Sequence, residues 1–126
     1  MMAAQTPEGK IKAQIKKVLD KRKPELYVYM PVPGGFGAPT LDYLGFYYGR
    51  GFAIEAKAPG KHPTDRQGKT INDIRAARVP AFVISGDTSL HLFEDWLDRT
   101  EEHYKAGPLG RLALAQEEVS RGNRSD

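Results

Sequence analysis

The chain contains no cysteine, which excludes disulfides and thiolate metal sites and fits a reducing cytosol. Its three histidines (His62, His91 and His103) are scattered, so no imidazole cluster for zinc is expected. No apolar run approaches the length of a membrane span, and the N-terminus lacks the basic, apolar, then small-residue order of a signal peptide. A phosphate-binding glycine loop is also missing. The stretch Pro31 to Pro39 is rich in glycine and proline, but it opens no helix and carries neither Gly-Lys-Ser/Thr nor GxGxxG spacing.

What is present is the composition of one globular domain with a modest core: 126 residues, 40% hydrophobic and 28% charged. The net charge of +3 conceals an asymmetry. Residues 1–23 carry Lys10, Lys12, Lys16, Lys17, Lys21, Arg22 and Lys23 against Glu8 and Asp20. Residues 86–106 carry Asp87, Glu94, Asp95, Asp98, Glu101 and Glu102 against Arg99 and Lys105. The basic end is either a surface for a polyanion or a solvated lysine-rich helix.

Thr6-Pro7-Glu8 predicts a helix start, with Thr6 as N-cap, and Ile11, Ile15, Val18 and Leu19 continue at helical spacing to about Lys23, where Pro24 stops it. Glu8 lies on the apolar stripe, so it is expected to point inward. It is either an acid that complements the helix dipole or a carboxylate delivered to a site. Leu26 to Tyr29 reads as a strand, and Leu41 to Tyr48 as a second one. Between them the Pro/Gly loop with Phe36 is either an ordinary mobile connection or a wedge for a nucleic-acid groove. Phe52-Ala53-Ile54-Glu55-Ala56-Lys57 is the third strand, broken by Pro59-Gly60. Alternation puts Ala53, Glu55 and Lys57 on one face and Phe52, Ile54 and Ala56 on the other.

The hairpin around Gly49 decides where Asp42 lies. An even loop puts Asp42 on the face of Glu55 and Lys57, opposite Lys57; a three-residue loop puts it on the far side. Glycine first in a two-residue loop suits a type II′ turn, which favours the even form. Thr64 to Arg78 predicts the second helix, with Thr64 and Gln67 as a capping box and Ile71, Ile74 and Ala77 inward. Gln67 starts that buried stripe, so a capping role and a site role are both open. Ala81 to Ser85 is a buried strand, parallel to the third. A third helix is expected from Thr88 to Tyr104, ended by Gly107-Pro108. A further short helix is expected over 109–119, with residues 120–126 frayed. The fold class is α/β, a mixed four-stranded sheet flanked by helices.

Asp42 followed by Glu55-Ala56-Lys57 on an adjacent strand resembles the signature of the PD-(D/E)XK nuclease superfamily. Residues 39–85 more closely resemble its stand-alone VRR-NUC type found in phages and bacteria. The likeness lies in Pro39-Thr40-Leu41-Asp42, Ile54 to Lys61, Thr64-x-x-Gln67 and the closing apolar strand. Two departures stand out: Pro39 and Asp42 are separated by two residues, and Arg78-Val79-Pro80 replaces a glycine pair before the closing strand. The resemblance implies a restriction-endonuclease-like core over 1–106, a C-terminal extension over 107–126, and an intracellular metal-dependent DNA endonuclease. It further implies Mg²⁺ or Mn²⁺ as cofactor, branched DNA such as Holliday junctions as substrate, and a homodimer.

The chemistry follows from the residue types. Phosphodiester hydrolysis needs an activated water, charge relief on the phosphate and stabilisation of the departing oxygen. Asp42 and Glu55 suit a hard divalent cation, and Lys57 on the same face suits the developing negative charge. The family implies the Ala56 carbonyl as a further ligand, Glu8 beside a second metal or a water, and Gln67 positioning Lys57 or the phosphate. Lys61, His62 and Arg66, with Lys10, Lys12, Lys16 and Lys17, are the expected DNA contacts. His62 is either a surface turn residue or a general base. The rival from another class is a nucleic-acid-binding module on the same fold without catalysis.

Overall fold

The structure is a computed structural model and describes residues 5–32 and 37–124. In chain order the elements are α1 (Pro7–Lys21), β1 (Leu26–Tyr29), β2 (Tyr43–Tyr47), β3 (Arg50–Ala56), α2 (Asp65–Ala76), β4 (Ala81–Ile84), α3 (Asp87–Ala106) and α4 (Pro108–Arg124). The sheet order is β1-β2-β3-β4, with β2 antiparallel to both β1 and β3, and β4 parallel to β3. This is the mixed four-stranded sheet that the sequence predicts. The last helix runs through Arg124, past the expected end near residue 119. Phe36 lies outside the described residues, and with it the choice between an ordinary connection and a wedge. No helix among the described residues is long and apolar enough to cross a membrane.

Helices α1 and α2 start where the sequence supplies a side-chain partner for free amide groups. Thr6 Oγ1 accepts the Gly9 amide at 3.0 Å, with Pro7 at the first helical position. Thr64 Oγ1 accepts the Gln67 amide at 3.2 Å, and Gln67 Oε1 accepts the Thr64 amide at 2.9 Å.

Helices pack on both faces of the sheet. On one, Phe52, Ile54 and Ala56 of β3 pack with Ile11, Ile15 and Leu19 of α1 and Phe93 and Leu97 of α3. Full burial of Phe52 and Ile54 stabilises the fold by roughly 1.5–3 kcal/mol each. On the other face a smaller cluster of Leu41, Ala53, Ile71 and Ala81 closes beneath α2. The charged side of β3 is therefore roofed rather than open to water as a surface strand would be. Arg22, just past α1, ties this arrangement together: its guanidinium contacts Asp98 at 2.7 Å and the Tyr47 hydroxyl at 3.4 Å.

Candidate active site

The β2–β3 hairpin sets the geometry. Its loop is Tyr48-Gly49, flanked by the directly opposed pair Tyr47 and Arg50. Both loop residues have positive φ (48° and 79°), the type I′ pattern. The loop is even, as expected, but it begins at Tyr48 and not at Gly49. That slip changes the partner of Asp42. The ladder ends with Tyr43 opposite Ile54, and one further step brings Asp42 opposite Glu55, not Lys57. Opposed residues project to the same side, so Asp42, Glu55 and Lys57 share the face roofed by α2.

Glu55 is buried, with 4% of its surface exposed. Its carboxyl is pushed up from 4.5 to about 8, by burial first, then by the hydrogen bond and the charge of Asp42; Lys57 opposes the shift and Glu8 adds to it. A hydrogen bond between two carboxyls needs a proton on one of them, and Glu55 is the group whose carboxyl is raised. Asp42 is fixed independently, because its Oδ2 accepts the Ala56 amide at 2.9 Å.

Backbone alternation along β3 explains that contact. The amides of Ala53 and Lys57 donate to Pro80 and Ile84, on the β4 side. Ala56, in the opposite phase, directs its N–H and C=O toward β2, which has already ended at Tyr43. Asp42 supplies the acceptor that a longer β2 would have provided. The Ala56 carbonyl points to the same side.

The remaining expected residues divide. Lys57 is half-buried and close enough for its charge to lower the Glu55 shift. Glu8 is not sealed inward: its side chain is 45% exposed, and Lys12 Nζ lies 3.8 Å from it. Its helix lies across the sheet from Glu55, yet its charge bears on both Glu55 and Tyr43. Gln67 takes the capping role through Oε1, and no hydrogen bond joins it to Lys57 among the described residues. Lys61, His62 and Arg66 are exposed between β3 and the first turn of α2. Lys12 and Lys16 instead line a groove of about 400 Å³ between α1 and β1, with Lys23, Val28, Met30 and Tyr43. Lys10 and Lys17 are exposed on α1, and Lys16 pairs with Asp20 at 2.6 Å. The expected basic residues thus occupy both sides of the sheet.

Tyr43 is a neighbour that sequence reasoning missed. Its hydroxyl is pushed up to about 12, first by burial and then by the charges of Asp42 and Glu8. The available signal was its position next to Asp42 at the start of β2.

Asp42, Glu55 and the Ala56 carbonyl form an all-oxygen donor set of the kind that suits a hard divalent cation. Burial first, and then the charge of Asp42, disfavours the ionised Glu55 carboxylate, and a bound cation would offset both, so the residues fit the group. Among the described residues no cluster of three or more His, Asp or Glu side chains is arranged to hold a metal, so Glu8 does not join the pair as a third carboxylate. No protein-family model, curated protein or solved structure matches the chain.

Proposed function

We propose that this chain is a metal-dependent DNA endonuclease with a restriction-endonuclease-like core, of the PD-(D/E)XK superfamily and its VRR-NUC type. The observation that supports this most is the direct opposition of Asp42 and Glu55, beside Lys57 at the end of a central strand. Asp42 and Glu55, with the Ala56 carbonyl, would hold Mg²⁺ or Mn²⁺. When bound, such a cation supplies charge relief on a phosphate and acidification of water.

The chain's own residues do the rest. The Ala56 amide holds Asp42 in place before any ligand arrives, so that carboxylate costs little to orient. Lys57 presents its ammonium on the same face, where it stabilises charge developing on the phosphate oxygens or the departing oxygen. Glu8 adds negative potential at the pair. The first turn of α2 presents backbone amides that favour an anion, and Lys61, His62 and Arg66 beside it receive the DNA backbone. Branched DNA as substrate, a homodimer with paired sites and an intracellular phage or bacterial setting belong to the same proposal by analogy with the family.

The test is cleavage of junction, flap and duplex DNA with Mg²⁺, with Mn²⁺ and with chelator. Wild type is compared with Glu55→Gln and Lys57→Ala. Each substitution is expected to lower the cleavage rate by about 10²-fold or more. Metal-dependent cutting that survives both changes overturns the site assignment. Tight binding without cutting by the wild type favours the non-catalytic module instead.

A further inference from the structure

The face of the sheet that carries Asp42 and Glu55 is only half covered. Helix α2 closes over Ala53 and Ala81, on β3 and β4. On the other half, Tyr27 and Tyr29 project from β1, and Phe46 and Leu44 stand directly opposite them on β2. These four form one exposed patch, with Tyr27 68% and Phe46 53% accessible. They are on the catalytic face because Leu44, Phe46 and Asp42 alternate in phase along one strand. Leu44 stands one row from Asp42, roughly 7 Å along the strand.

We propose that this aromatic face stacks the unpaired bases of a single-stranded stretch of nucleic acid whose backbone runs to Asp42 and Glu55. The inference rests on the nuclease reading and adds a substrate preference to it, for DNA with unpaired nucleotides next to the cut. Three observations select this occupant. The patch is mainly rings, which offer a π-face to any base whatever its sequence. Charge is complementary: α2 beside it carries Arg66, Lys69 and Arg75 against Asp65 and Asp73, with Lys57, Lys61 and Arg78 at its two ends, whereas the acids of α3 lie on the opposite face. A second copy of this chain seated on the same rings would stand beside the carboxylate pair and crowd a polymer away from it.

The experiment measures binding in chelator, where no cleavage is needed, using labelled oligothymidylate and a duplex of the same length. Wild type is compared with a Tyr27→Leu, Phe46→Leu double variant, which keeps apolar bulk and removes the π-faces. Circular dichroism and the melting temperature check that the variant folds. Stacking predicts a loss of single-strand affinity of about tenfold or more, with duplex affinity changed less than about twofold. Unchanged single-strand affinity overturns the proposal. So does a wild-type dimer that the leucine variant dissociates with no change in single-strand binding, because the face is then covered by a second copy. Failure of cleavage with intact stacking would remove the nuclease reading alone.

Discussion

The carboxylate of Asp42 accepts the amide hydrogen of Ala56 at 2.9 Å, so the residue that precedes β2 also completes the ladder of β3. One oxygen of Asp42 thus carries a structural bond, while the charge of the same carboxylate helps to raise the Glu55 carboxyl. Structure and chemistry meet in a single side chain, and substitutions there disturb both.

Glu55 gives the pair a pH signature. Folding raises its carboxyl from 4.5 to about 8, with burial the largest cause, so the folded chain keeps a proton that the unfolded chain has released. The sign follows from linkage: this stabilisation is complete below about 4.5 and is lost as pH rises through about 8. In chelator, the melting temperature is expected to fall between about pH 5 and pH 9, and Glu55→Gln to flatten that decline. Mg²⁺ should raise the melting temperature more at the alkaline end, where the pair is ionised. An identical pH slope in wild type and Glu55→Gln would remove Glu55 as its source.

Gly45 is a packing requirement on the other side of the sheet. A Cβ there would stand 2.5 Å from the Tyr27 carbonyl oxygen and 2.7 Å from the Phe52 ring. Gly45→Ala is expected to cost about 1–3 kcal/mol in denaturant unfolding, since neither backbone nor a buried ring yields cheaply. Cleavage measured well below the melting temperature should persist, because Gly45 faces away from Asp42 and Glu55. A variant as stable as the wild type would show that Phe52 has room to move.

Arg78 holds strain at the turn into β4. Its φ of 69° lies in the left-handed region, where a Cβ crowds the backbone, and its side chain is exposed. Arg78→Gly is expected to stabilise the fold by about 0.5–1 kcal/mol. Arg78→Ala retains the Cβ and should not reproduce the gain; if it does, the cause is the charge and not the backbone.

The β2–β3 hairpin was legible in the sequence only in part. The parity of its loop was legible, because a glycine between two β-rich runs favours a two-residue turn. The loop's phase was not. Tyr48 accepts a positive φ because its ring packs on Tyr104 at 4.8 Å and its hydroxyl donates to Glu101 at 3.4 Å. Those partners lie on α3, more than fifty residues away, and no local rule reveals them. The consequence was chemical: with the loop moved by one residue, Asp42 meets a carboxylate where an ammonium was expected.

The same limit applies to burial. The alternation of β3 showed which residues share a face, but not that Ile71 and Leu41 would roof the charged one. Gln67 shows the opposite case. Its capping geometry could be read from Thr64-x-x-Gln67 alone, since the capping box is a contact between near neighbours. The aromatic rows of β1 and β2 were present as two alternating runs. Pairing Tyr27 with Phe46 needed the register.

Strand β3 is hydrogen-bonded along both edges, to β2 on one side and β4 on the other. An amide held in this way exchanges with solvent only when the sheet itself opens, so Glu55 belongs to the last part of the molecule to come apart. Glu55 is therefore as durable as the whole fold, whereas Lys57, past the end of the strand, can adjust to a ligand by local motion. Rigidity and adaptability are separated by two residues.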